Sequence, residues 1–239
     1  LNQELIVLER ELQALREGNV ALLNNRVLLQ LVLSDITNEQ MARQYIDQVL
    51  RQANLVVLDA ILPGTDPAEA QVIQITNAEV EQVVEQVQDG QEYVIQIRSG
   101  GNYLVGEPCV IARQACIQVT AMAIPNQLVF SQGEVVAGTS IHPFPDNPNA
   151  ILEQLDFLIT ASQFRASQAG VLNTSIPRIA DGQEQTLRRF LEQLDAYQMT
   201  TSAPFQIQTI AATDIYTVGP LVFHLVAMQG DEILFQTGT

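Results

Sequence analysis

The chain predicts an α+β protein: an N-terminal coiled-coil stub, a mixed barrel-like β region with two helices, then a small α+β unit. Three observations predict it. Leucines at heptad spacing open the chain. Short apolar runs split by turn residues, with two capped helical patterns among them, follow up to His142. Beyond a proline-rich stretch, two long helical periodicities precede three strand-like runs. The boundaries follow: 1–17 end of a coiled coil, 18–142 barrel-like α+β domain, 143–149 linker, 150–239 α+β domain.

Leu1, Leu5, Leu8, Leu12 and Leu15 recur at steps of 4, 3, 4 and 3. That is an a/d seam, flanked by Glu4, Glu9, Arg10, Glu11 and Arg16. The stripe is narrower than the broad face of a helix lying on its own domain, so these five leucines are the expected oligomerisation interface. Gly18 ends the helix. The chain opens in mid-pattern without Met, which suggests a piece of something longer.

Val20–Leu33 reads as a hairpin turning at Asn24-Asn25, since Asn tolerates the positive φ of tight turns. Thr37 and Gln40 have capping-box spacing, and Met41, Tyr45, Ile46, Val49, Leu50 and Ala53 share one helical face. Leu55–Ala60 reads as a buried strand and Pro63–Pro67 as a loop. Gln71–Ile75 reads as a short strand. Thr76 with Glu79 caps a second helix, whose face is Val80, Val83, Val84 and Val87 and whose end is Asp89-Gly90. Strands are expected at Tyr93–Ile97, Pro108–Ile111 and Ile117–Ile124, then a hairpin over Leu128–Ser140 turning at Gln132-Gly133.

Residues 20–28 and 128–136 echo each other: an apolar triplet, a turn, a charge, two apolar residues. Residues 226–234, turning at Gly230, are a looser third copy. A duplication that builds a barrel-like sheet explains the echo, and so does the general likeness of hairpins.

The segment from His142 to Asn149 holds three prolines and is the linker. Beyond it, Ile151, Leu152, Leu155, Leu158, Ile159, Ala166 and Ala169 mark a helix ending at Gly170. Asp181 and Glu184 open another, with Leu187, Phe190, Leu191, Leu194 and Tyr197 inside. Strands follow at Phe205–Ala212, Leu221–Met228 and Glu232–Gln236.

Composition removes several functions. The chain has 239 residues, 27 acidic against 11 basic, and a net charge of −16. A phosphate backbone needs a basic stripe, so nucleic acid is not an expected partner. The densest arginines, Arg165, Arg178, Arg188 and Arg189, are interrupted by Asp181 and Glu184 and read as a solvated face. All 11 basic residues are Arg. Without Lys there is no Schiff base, Walker loop or protein-kinase site. No apolar run is long enough to span a membrane.

No cofactor is implied. His142 and His224 are isolated, and no H-E-x-x-H, C-x-x-C, EF-hand, G-x-S-x-G or G-x-G-x-x-G pattern occurs. Cys109 and Cys116 are expected as buried free thiols, with a bridge as the alternative if a tight hairpin turns near Ala112-Arg113. Asp214, Asp231 and Glu232, with Asp156, are the candidate carboxylates for a divalent metal, against a plain solvated role. Asn173-Thr174-Ser175 fits a glycosylation sequon. Tyr216–Pro220 reads as a strand-connecting turn rather than a binding lip.

GNVALLNNRVLLQLVLS (18–34), MARQYIDQVLRQAN (41–54), GEPCVIA (106–112), NQLVFSQGEVVA (126–137) and IYTVGPLVFHLVA (215–227) together resemble the cyanobacterial domain-of-unknown-function 3084 proteins. The likeness spans most of the chain and contains no catalytic motif. It departs at Asn24-Asn25, where that family pairs a basic residue with Gly. The resemblance implies membrane spans upstream of this sequence, a long coiled coil, and a globular C-terminal region.

The function expected is a non-enzymatic scaffold or interaction head of a membrane-tethered coiled-coil protein, self-associating through its N-terminal helix and binding an unnamed protein. The extracytoplasmic side is favoured. A metal-dependent hydrolase or nuclease-like enzyme using the acids of the last unit is the alternative. A small-ligand sensor with a pocket between the two regions is a third.

Overall fold

The structure is a computed structural model that describes residues 19–64, 70–142 and 150–238. The leucine stripe and the 143–149 segment lie outside the described residues. Contacts divide the chain into two compact units at Pro125/Asn126.

The first unit runs β1 (Val20–Leu22), β2 (Val27–Leu33), α1 (Glu39–Ile61), β3 (Ile73–Gln74), α2 (Asn77–Val87), β4 (Tyr93–Ser99), β5 (Tyr103–Leu104), α3 (Pro108–Ile111) and β6 (Ile117–Pro125). Strands β2-β4-β6-β3 form one open sheet and β1-β5 a two-stranded one. Helix α1 buries Ala42, Ile46, Val49, Ala53 and Val57, a 3.6-residue stripe, with Val83, Val84 and Val87 of α2 and Ile95 and Ile97 of β4 in the same core.

The second unit runs β7 (Leu128–Phe130), β8 (Val135–Ile141), α4 (Ala150–Ala169), β9 (Arg178–Ile179), α5 (Glu184–Thr200), β10 (Phe205–Ala211), β11 (Ile215–Tyr216), β12 (Val222–Gln229) and β13 (Glu232–Gln236). Its main sheet is β13-β12-β10-β8, with β9 parallel to β12, and β7-β11 stand apart as a pair. Phe190, Tyr197, Phe205 and Phe235 meet edge to face, at centroid distances of 5.3 to 6.2 Å.

The two units repeat one topology. Strand β1 pairs with β5 as β7 pairs with β11. The β2-β4-β6 ladder matches β8-β10-β12, and the parallel pair β3-β6 matches β9-β12. The six residue pairs of β2-β4 map one for one onto β8-β10, at offsets of 108 and 112, with the bulge at the same step. Asn25, with φ 63°, and Gly133, with φ 82°, occupy the same turn position. Asn102 Oδ1 accepts from Asn24 N, as Asp214 Oδ1 accepts from Gln132 N, both at 2.8 Å. The buried stripe of α1 recurs in α4 at Ile151, Leu155, Leu158, Ser162 and Ala166. The offset falls from 112 across β4–β5 to 104 across β6, so the first unit holds eight extra residues in its β5–β6 connection, which contains Cys109–Cys116.

The echo in the sequence is therefore a repeat of topology, but it builds no barrel: the sheets stay open. The two expected hairpins have their turns in place, yet their arms pair elsewhere, β1 with β5 and β2 with β4, β7 with β11 and β8 with β10. Only the third copy is a true hairpin, β12-β13 turning at Gly230. Residues 128–140 belong to the second unit, because β7 and β8 pair only with its strands.

Local expectations also shift. Leu55–Ala60 continues α1, since Val57, Leu58 and Ile61 extend its buried face and packing overrides β propensity. The cap of α1 is Asn38, whose side chain accepts from Met41 N, and not Thr37 with Gln40. Pro108–Ile111 is a helical turn with Pro at its start. Cys109 and Cys116 are bridged, contrary to the free thiols expected, because Arg113 at φ 56° turns the chain back after α3 and brings the sulfurs together. The capping box of Thr76 and Glu79 is present as expected.

Candidate functional site

Strands β3 and β6 pair over only two residues, Ile73 with Ile117 and Gln74 with Gln118. A groove of about 810 Å³ borders both strands there. Leu50, Ile73, Ile75, Val80 and Val119 give it an aliphatic base. Gln71, Gln74, Asn77, Gln118 and Thr120 give it amides and a hydroxyl.

Hydrogen bonds set the elements that border the groove. Asn54 on α1 fixes β3: its Oδ1 accepts from Val72 N at 2.8 Å and its Nδ2 donates to Ala70 O at 2.9 Å. Thr76 then starts α2. Its hydroxyl donates to Glu79 at 2.7 Å, and Glu79 N donates back to Thr76 Oγ1 at 3.3 Å. Among the described residues Glu79 is the only carboxylate in the lining, and this capping box engages it. The disulfide segment closes one wall. Cys116 N and Ile117 N both donate to Val72 O at 2.9 Å, and Gln74 Nε2 donates to Ala115 O. Tyr103 Oη accepts from Gln118 N at 2.8 Å. The groove thus offers hydrogen-bonding and dispersion contacts, which is binding chemistry.

Nearby charge is tied to α1 and α2. Arg43 sits 2.8 Å from Glu39 and 2.6 Å from Glu81. The Arg43 guanidinium holds the Glu81 carboxyl below its ordinary value and is itself raised by it.

The residues singled out from sequence lie elsewhere. Asp214 follows β10 and accepts from Gln132 N, so it braces the β7–β8 turn. Asp231 and Glu232 sit at the β12–β13 turn and are exposed. Ala211 pairs with Phe223 and Gln206 with Met228, so Asp214 and the Asp231–Glu232 pair lie at opposite ends of β10-β12. Five residue steps separate those ends, roughly 17 Å at strand rise. Asp156 is exposed on α4. Among the described residues, no three His, Cys, Asp or Glu side chains are grouped to hold a metal ion.

His142 is exposed, and His224 is half-buried in β12. Tyr216–Pro220 is braced from within its unit: Val218 N donates to Asn126 Oδ1, Leu172 N to Thr217 O, and Gly219 packs on Asn173. Arg165 donates to Val136 O at 2.8 Å, and Asp181 accepts from Gln183 N and Thr186 Oγ1. Sequence reasoning missed Gln74, Asn77, Gln118 and Thr120, because neutral amides and hydroxyls in a groove follow no spacing rule.

Among the described residues, no helix is long and apolar enough to cross a membrane. Residues 130–239 match a family model described as the DUF3084-associated C-terminal helical hairpin. The match falls within the second unit, which contains α4 and α5. An uncharacterized protein of Nostoc sp. is 37% identical over 242 residues. The alignment covers 99% of this chain and 45% of that relative. No solved structure matches. With the family model in the second unit and the relative aligned across both, the chain belongs to the cyanobacterial domain-of-unknown-function 3084 family.

Proposed function

We propose that these residues form a non-enzymatic interaction head, carried in pairs by a coiled coil on a membrane-tethered protein. The observation that carries this reading is the composition of the groove among the described residues: aliphatic side chains, neutral amides and hydroxyls, and a single carboxylate engaged in a cap. Such a lining holds a partner by contact and backbone hydrogen bonds. The heptad at Leu1, Leu5, Leu8, Leu12 and Leu15 supports pairing, and two linked heads raise the effective affinity for a repetitive partner. The Cys109–Cys116 bridge supports the extracytoplasmic side, because disulfides persist in oxidising compartments. The membrane tether rests on the family resemblance; this chain spans 45% of its relative.

Light scattering on the chain with and without residues 1–17 tests the pairing. A dimer that becomes a monomer on trimming is the expected result. A monomer in both forms overturns the paired head.

A further inference from the structure

The repeat shows what fits the first unit's groove. In the second unit, β12 carries β9 at one end of its outer edge and β13 along the rest. The chain continues beyond β13 in the same direction. Thr237 N donates to Leu225 O, and Leu225 N donates to Thr237 Oγ1, both at 2.9 Å. Gly238 then lies over the His224 imidazole so closely that no Cβ would fit. An extended segment thus follows the edge of β12 as far as His224.

At the offset of 104, Leu225 and His224 correspond to Ala121 and Thr120 of β6. In the first unit β3 takes the place of β9, but among the described residues no strand pairs with β6 beyond Gln118 on that edge. The groove lies at this point, lined by Val119 and Thr120 on one side and Ile75, Thr76 and Asn77 on the other. Farther along, Gln86 Nε2 donates to Ala123 O and closes the edge. The opening therefore suits roughly three or four extended residues at about 3.3 Å each.

We infer that this groove takes an extended segment of a partner protein, added antiparallel to β6 at Val119–Ala121 as the Thr237–Gly238 stretch is added to β12. Main-chain amides would supply affinity, and alternate side chains specificity. One aliphatic side chain faces Ile73, Ile75 and Val80; its neighbours meet the amides of Gln74 and Gln118. The net charge of −16 favours a segment without acidic residues. This inference rests on the interaction-head reading and names the kind of partner.

The test is an amide NMR titration of the 239-residue chain with a capped peptide of residues 233–238, the strand shown here on the equivalent edge. The expected result is saturable shifts at Ile75, Thr76, Asn77, Thr120 and Ala121, with a dissociation constant of about a millimolar or tighter. Asn77→Trp, at an exposed lining position, should weaken binding by about tenfold or more while leaving the spectrum folded. No shifts at these amides, shifts confined to β12, or shifts that survive Asn77→Trp would each overturn the inference. Groove shifts that follow chain concentration without peptide would overturn it too, naming a second copy as the occupant. Failure here leaves the pairing test by light scattering unaffected, so the two readings fail separately.

Discussion

Thr209 shows how one hydroxyl supports a whole ladder step. It is fully buried, and its Oγ1 accepts from Ala137 N at 3.0 Å beside the β8-β10 bulge. It also meets Ser162 Oγ at 2.8 Å, while Ser162 donates to Leu158 O at 2.7 Å. The first unit builds the same bulge with Ile97 and Ala53 at these places, without hydroxyls. Thr209→Val strands the Ala137 amide in an apolar core, so it should cost about 1–3 kcal/mol by urea unfolding. A cost within about 0.3 kcal/mol would mean the amide finds another partner.

At the same scale, Arg43 links α1 to α2 through Glu81, and the Glu81 pKa is lowered first by that hydrogen bond. A lowered carboxyl stabilises above its unfolded value and loses the effect as pH falls through its folded value. Wild type should therefore exceed Glu81→Gln in thermal stability at neutral pH. The gap should close below the ordinary value of 4.5. Both side chains are about half exposed, so 1 M salt should shrink it as well. A gap independent of pH and salt would contradict the ion-pair account.

At the scale of elements, helices with period and cap were legible. The Thr76–Glu79 cap and the Val83, Val84, Val87 face read directly from residue types. Leu55–Ala60 misled because a short apolar run has no period of its own, and only the core opposite decides between strand and helix. Turns were legible and pairings were not: Asn24-Asn25 and Gln132-Gly133 turn the chain, but each arm finds its partner 60 to 88 residues away. The disulfide was hidden because Cys109 and Cys116 meet through a helical turn and a positive φ at Arg113, not a hairpin.

The bridge closes a segment that the second unit lacks, so the shared fold does not require it. Cys109→Ser with Cys116→Ser should raise hydrogen exchange in residues 109–118 and at the groove wall. The rest of the first unit should stay protected. Chain entropy for so short a loop suggests a loss of about 2–3 kcal/mol. Global unfolding of the double variant would show that the bridge holds the unit and not its insertion.

At the scale of the whole molecule, the repeat explains why one chain contains two cores. Each unit has its own main sheet and its own helix stripe, with one buried cluster in the first unit and two in the second. Residues 126–239 expressed alone should unfold cooperatively with urea; a molten chain would contradict a self-sufficient unit. The repeat was faintly legible at residues 20–28 and 128–136, whose offset of 108 is the structural one. Little sequence identity survives elsewhere, because apolar residues of different shape fill equivalent positions, as Tyr103 and Ile215 do. The groove was illegible for a related reason: it arises where the units differ, from a β5–β6 connection eight residues longer and an edge on which no described strand takes the place of β13.

The most direct test of an interaction head is a photo-crosslinking residue at position 77 of the full-length protein in cells, with one at exposed position 173 as control. The account predicts a discrete protein adduct from 77 that is absent from 173 and lost when Thr120→Arg fills the groove. Equal adducts at both positions, or none from 77, would contradict it.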